Sequence, residues 1–277
     1  MTEAIRKYNN LTQRIITGIL GAAFIIAGVC FGPWTYFVIF IIICFFTLLE
    51  FYKLTLTNVA LPERVVALLT GVLIYVLSFL VEIRSVEAKY YFLIFPAMAL
   101  IFILKLYNKR DTKPFTNLAF TVLGIVYIAV PVSLLNYAVF DRGHYNFEVI
   151  LGILLILWAS DTGAYFAGTY LGKNKLFRRI SPKKTWEGFA GGAALALIFA
   201  YGMSRYTNSL SVTAWLLVGV IIIVAGVFGD LVESQLKRSI EIKDSGNVLP
   251  GHGGFLDRFD GLLITAPFLV VFFELLR

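Results

Sequence analysis

The sequence predicts an all-α polytopic membrane protein of about nine transmembrane helices, with its N-terminus cytoplasmic and its C-terminus outside. Three observations carry that prediction. Hydrophobic residues fill 59% of the 277 positions, charged residues only 15%, and the mean hydropathy is +0.82, far too apolar for a soluble domain of this length. Charge-poor runs recur at about 15–32, 34–52, 65–81, 90–104, 117–139, 149–171, 188–204, 212–230 and 261–276, and each can cross a bilayer as a helix whose ends tilt or snorkel. Nineteen of the 24 Lys and Arg then fall in alternate loops, the side on which short loops retain positive charge in the cytoplasm.

Taken in order, the first run follows Arg6, Lys7 and Arg14 and lacks a small-residue cleavage site, so it reads as a mature helix rather than a leader. Gly32-Pro33 separates it from the second run. Cys30 and Cys44 flank that turn at different depths along their helices, given a rise of about 1.5 Å per residue; both read as small buried hydrophobes and not as a disulfide. The third to fifth runs are apolar hairpins joined by small polar turns or by base-rich loops containing Lys53, Arg64, Lys105, Lys109, Arg110 and Lys113. Residues 1–140, with about five spans to 139, contain no cluster of chemically useful side chains and read as a transmembrane scaffold.

Residues 141–277 read as the catalytic transmembrane region, with cytoplasmic loops 172–187 and 231–260. Asp161 lies near the middle of the sixth run, where an ionised side chain costs about 2.5–3.5 kcal/mol. A polar cavity, a cation or a basic partner would offset that cost, as would a purely structural pairing. Gly168 and Gly172 form a GxxxG pattern beside Gly163, Ala164 and Ala167, which permits close helix approach. The loop from Gly172 to Glu187 holds six bases. Ser181-Pro182 suits the cap and first turn of a helix, and Lys183 and Lys184 either tether the loop to the inner leaflet or dock a lipid phosphate or nucleotide triphosphate, with Trp186 at headgroup level.

The segment from Asp230 to Asp260 concentrates six of the 17 acidic residues around four bases and a Gly-rich turn. Asp230, Glu233, Ser234 and Lys237 recur at helical spacing, so a helix leaving the eighth run presents them along one face, with Arg238 beside them. Gly246 and Pro250 end that helix, and Pro-Gly-His-Gly-Gly at 250–254 supplies a turn whose bare N–H groups at Gly251, Gly253 and Gly254 can face an oxyanion. His252 is either a hydrogen-bonded spacer or a catalytic group. Asp257 and Asp260 follow in the first turn of the ninth helix, where the dipole favours anions. Acids that share this end with phosphate suit a divalent cation, because Mg²⁺ takes one or two carboxylates together with phosphate oxygens. An interfacial rim of snorkelling charges is the plain alternative, but a rim needs neither the glycine turn nor acids paired at helical spacing.

The string from Ser234 to Asp260, S-Q-L-K-R, then K-D, then L-P-G-H-G-G-F-L-D-R-F-D, resembles the signature of the phosphatidate cytidylyltransferase family, the CDP-diacylglycerol synthases. The stretch from Ser160 to Glu187, with S-D-T-G-A-Y-F-A-G and I-S-P-K-K-T-W-E-G, is similar to a second block of that family, while residues 1–140 add only topology. The resemblance implies a polytopic, homodimeric enzyme that converts CTP and phosphatidic acid to CDP-diacylglycerol and pyrophosphate. A compact chain without long soluble extensions points to the bacterial cytoplasmic membrane, with the site on its cytoplasmic face, and an organelle membrane is the alternative. It implies Mg²⁺ with a monovalent cation such as K⁺ nearby. Asp230 and Asp257 match the metal-binding acids with Asp260 close by, and Lys237, Arg238, Lys243 and Arg258 match positions at phosphates. Asp244 lies in the same matched string. Membrane lipids are the only other partner expected; no nucleic-acid module is present.

Two other classes fit parts of this pattern. A CDP-alcohol phosphotransferase also uses paired acids at a membrane interface, but the Asp-Gly-x-x-Ala-Arg element that should precede Asp257-x-x-Asp260 is missing. A transporter would explain Asp161 and the small-residue helices, yet no second half mirrors the first.

Overall fold

The computed structural model describes residues 18–56, 61–108, 111–242 and 254–276. Nine helical segments run through the described residues, and they fall on the nine charge-poor runs. They comprise α1 (Gly18–Phe31), α2 (Pro33–Thr55), α3 (Leu61–Glu82), a 3₁₀ turn (Ala88–Leu93) leading into α4 (Ile94–Tyr107), and α5 (Pro114–Gly124) joined through a π-helical turn (Ile125–Ala129) to α6 (Val130–Val139). After them come α7 (Phe147–Tyr170), α8 (Trp186–Tyr206), α9 (Val212–Ser239) and α10 (Leu256–Leu276). The chain is therefore a polytopic all-α membrane protein.

Seven of these segments are long and apolar enough to cross a bilayer. Of the other two, α1 has 14 described residues, and α8 has the length but is diluted with glycine and alanine. The same composition lets α8 lie against α7. At Gly191 an added Cβ would stand 2.2 Å from the Ala167 Cβ and 2.9 Å from the Gly163 carbonyl oxygen, so the close approach expected from the small residues of the sixth run is made with α8.

Local chemistry sets several boundaries. Pro33 and Pro114 open α2 and α5 at the position where a missing N–H costs nothing. Pro131 lies just beyond the π-helical turn and leaves the Tyr127 carbonyl without its usual donor. Between α6 and α7, β1 (Phe140–Asp141) pairs with β2 (His144–Tyr145) around Arg142 and Gly143, both at positive φ, the combination a two-residue hairpin turn requires.

The Ser181-Pro182 pair corrects an expectation. It does not start a helix; it lies in β4 (Ser181–Thr185), which pairs antiparallel with β3 (Lys175–Phe177). The helix starts later, with Thr185 as its cap, accepting the Gly188 N–H at 3.1 Å.

Helix α10 packs against α9 on one side and α6 on the other, α9 contacts α8, and α3 bridges α6, α2 and α4. The core these helices share is lined by buried aromatics including Tyr36, Phe40, Phe51, Tyr75, Phe79 and Trp215. Residues 1–140 also contain a buried polar cluster that composition did not announce. Lys105 contacts both Glu63 and Asp111 at 2.5 Å, Asn108 donates to Glu63 and Asn117 to Asp111, and together they tie the ends of α3, α4 and α5. Burial works to raise the Asp111 carboxyl, but the Lys105 ammonium and the Lys113 N–H outweigh it and hold the group below the usual aspartate range. Cys30 is exposed, Cys44 is buried, and both are free.

Candidate active site

The site forms where α9 leaves its apolar stretch and α10 enters. Gly229 makes this crossing possible, since a Cβ there would stand 2.5 Å from the Asp260 carbonyl oxygen and 2.8 Å from the Gly261 Cα. Backbone against backbone, the two helices bring the residues next to that glycine together. Asp230 and Glu233 from α9 and Asp260 from α10 each offer a carboxylate oxygen, all within 4.8 Å of one another.

Three carboxylates at that separation repel one another strongly unless positive charge is supplied. Two lysines supply part of it. Lys184 reaches over from β4 to Asp230 at 2.6 Å, and Lys237 sits between Glu233 at 2.7 Å and Asp257 at 2.8 Å. Ser234 donates to Asp230 at 3.3 Å, and the Gly254 N–H donates to Asp257 at 3.2 Å. Glu233 is only 1% exposed, and its Oε1 has no hydrogen-bond partner among the described residues. An all-carboxylate donor set with one buried oxygen left over fits a hard divalent cation such as Mg²⁺.

The hairpin that carries Lys184 is itself fastened. The Glu187 carboxylate accepts the N–H groups of Lys173 and Asn174 and the Asn174 side chain at 2.8–3.2 Å. Backbone N–H groups, its own first and then those of Lys173 and Asn174, hold its carboxyl below the usual glutamate range against a smaller effect of burial.

Among the residues singled out from sequence, Asp230, Asp260, Ser234, Lys184 and Lys237 meet at this point. Asp161 is exposed on α7 and within electrostatic reach of Asp230, Asp260, Lys184 and Arg258, so it faces the site rather than lying isolated in lipid. Lys183, Arg238 and Arg258 are exposed and are next in sequence to Lys184, Lys237 and Asp257, and Gly254 is buried at the start of α10. Lys243, Asp244, Gly251, His252 and Gly253 lie outside the described residues.

Asp257, expected to share a cation with Asp230, stands beside the triad: Lys237 bridges it to Glu233, and its other oxygen accepts the Gly254 N–H, while Glu233 joins Asp230 and Asp260 as a further candidate ligand. The i, i+3 spacing had placed Glu233 on the right face of α9; which acid of α10 would meet it depended on the helix crossing. Glu50 was missed altogether. It sits in the apolar run of α2, 4% exposed, with Oε2 accepting the Phe255 N–H at 2.7 Å.

Residues 12–276 match the model of a family described as the cytidylyltransferase family. The phosphatidate cytidylyltransferase of Bacillus subtilis is 35% identical over 266 residues, which cover 94% of this chain and 96% of that protein. Proteins of the same name from Staphylococcus haemolyticus and Staphylococcus aureus are 40% and 39% identical over 175 and 176 residues, covering 62% of this chain and 66% of theirs.

Proposed function

The chain belongs to the cytidylyltransferase family, and we infer from that membership that it is a phosphatidate cytidylyltransferase, a nucleotidyltransferase of phospholipid biosynthesis. The observation that carries the reading is the convergence of Asp230, Glu233 and Asp260 within 4.8 Å, flanked by Lys184 and Lys237, where two apolar helices end. In the reaction, a phosphate oxygen of phosphatidic acid attacks the α-phosphorus of CTP. The bond from that phosphorus to the β-phosphate bridging oxygen breaks, and pyrophosphate leaves with CDP-diacylglycerol as the other product.

A phosphate monoester is already mostly ionised near neutral pH, carrying about −1.5 to −2 charge, so no strong base and no Ser/His/Asp triad is needed. The difficulty is bringing two anions together and stabilising the departing one, which is a matter of positioning and electrostatics. Asp230, Glu233 and Asp260 would hold Mg²⁺, which when bound neutralises triphosphate charge and orients it. Lys184, now on Asp230, and Lys237, shared by Glu233 and Asp257, stand where phosphate oxygens would be received. Exposed Lys183, Arg238 and Arg258, each next in sequence to a residue of the site, would widen that basic surround. A position at helix ends lets CTP arrive from the cytoplasm while the acyl chains stay in lipid.

Purified protein with labelled CTP, phosphatidic acid and Mg²⁺ should release pyrophosphate and form CDP-diacylglycerol. Consumption of CDP-lipid instead would indicate a phosphotransferase, and neither reaction would indicate a transporter. The resemblance also carries a monovalent cation and a homodimer into this proposal. Replacing K⁺ with a bulky organic cation tests the first, and mass measurement in detergent tests the second.

A further inference from the structure

Glu50 joins the half of the chain expected to be scaffold to the half that carries the acids. The Phe255 carbonyl already accepts the Arg258 N–H at 3.1 Å, so Phe255 begins the hydrogen-bonding pattern of α10, while its own N–H has no acceptor within that helix. Glu50 provides one from α2, 205 residues away in sequence, at 2.7 Å. The Phe46 ring stacks on the Phe255 ring beside this contact, with centroids 5.3 Å apart and planes 18° from parallel. The preceding N–H, that of Gly254, goes to Asp257, whose other oxygen holds Lys237, which in turn holds Glu233.

We propose that Glu50 is a positioning residue for the carboxylate triad: it caps the start of α10 from α2 and, through Asp257 and Lys237, fixes where Glu233 stands. An apolar side chain would fill the same space without the cost of burying a carboxylate. What the carboxylate adds is a charge-assisted hydrogen bond at a helix N-terminus, where the dipole favours an anion. Its Oε1 has no hydrogen-bond partner among the described residues, so among them the Phe255 N–H is the contact that offsets burial. Residues 1–140 then act on the site as well as supporting it.

This inference rests on reading the triad as a metal site, and the test separates the two. Full-length protein in detergent is titrated with Mn²⁺ by electron paramagnetic resonance, and amide hydrogen exchange is followed in the peptide containing Phe255. Glu50→Met keeps the volume and removes the acceptor; exchange at Phe255 should quicken about tenfold or more, and Mn²⁺ affinity should fall about 10- to 100-fold. Glu50→Gln retains an oxygen that accepts the same N–H but without the charge, and should fall between wild type and Glu50→Met in both. Unchanged Mn²⁺ affinity in Glu50→Met overturns the proposal, as does a Glu50→Gln protein as weak as Glu50→Met. Should Glu50→Met fail to fold, Glu50→Asp decides: it keeps the charge but is one methylene too short, so wild-type Mn²⁺ binding there overturns the proposal and weakened binding upholds it. A wild-type protein with no saturable Mn²⁺ site would instead remove the metal reading itself, and this inference with it.

Discussion

Among single residues, the two acids that sequence paired, Asp230 and Asp257, have different partners. Asp230 belongs to the triad, whereas Asp257 is occupied by Lys237 and a backbone N–H. Their amide substitutions should therefore fail in different ways. Asp230→Asn removes a triad ligand, and CDP-diacylglycerol formation should drop by about 10²–10³-fold, with a higher Mg²⁺ requirement. Asp257→Asn leaves the triad intact but loosens Lys237, and should cost about 10- to 100-fold, as removal of a supporting partner usually does. Initial rates measured across a Mg²⁺ titration check both, and an unaltered Mg²⁺ dependence in Asp230→Asn would take it out of the metal site. Chelation with EDTA should stop turnover in the wild type, with Mg²⁺ restoring it.

At the level of elements, the α9–α10 crossing is the feature on which the triad depends. Gly229→Ala places a methyl group against the backbone of α10, which has no flexible side chain there to move aside. Overpacking of that kind costs about 1–3 kcal/mol, so the melting temperature in detergent should fall and the Mg²⁺ requirement rise together. Gly202→Ala, where an added Cβ meets nothing within 4 Å, is the matched control and should lower neither. A second junction, Lys105 with Glu63 and Asp111, ties α3, α4 and α5 away from the triad. Lys105→Met leaves two buried acids uncompensated and should destabilise by about 3–5 kcal/mol, with turnover near wild type at temperatures where the protein stays folded. The Asp111 carboxyl is depressed in the folded protein, so its contribution is complete above the ordinary aspartate range and fades as pH falls through the depressed value. Thermal melts between about pH 7 and pH 3 should show wild type losing part of its advantage over Lys105→Met at the acid end.

For the whole molecule, composition was enough to locate the nine helical segments of the described residues, seven of them long and apolar enough to cross a bilayer, because each is a local property of about 20 residues. Asp230 and Asp260 were legible for a similar reason: each sits at the polar edge of an apolar run. Glu233 as a triad member, Asp257 as a lysine partner and Glu50 as a cap were not, since each depends on which helices touch and at what height, and Glu50 meets Phe255 across 205 residues. Ser181-Pro182 misled because a serine followed by proline opens a helix or a strand equally well until the pairing strand is known. The orientation proposed for the bundle rests on charge placement. In the sequence most Lys and Arg fall in the alternate loops that include Lys184 and Lys237, while Arg84 and Arg142 lie at turns between the others, so the triad should face the cytoplasm, where CTP is. In a Cys30→Ser background, which removes the exposed native thiol and leaves Cys44 buried, Ser85→Cys in intact bacterial cells should react with a membrane-impermeant maleimide. Lys183→Cys, exposed on the hairpin beside the triad, should react only after the membrane is opened. The reverse pattern would put the acids on the side without nucleotide, and a CTP-dependent reaction at the triad would then be excluded.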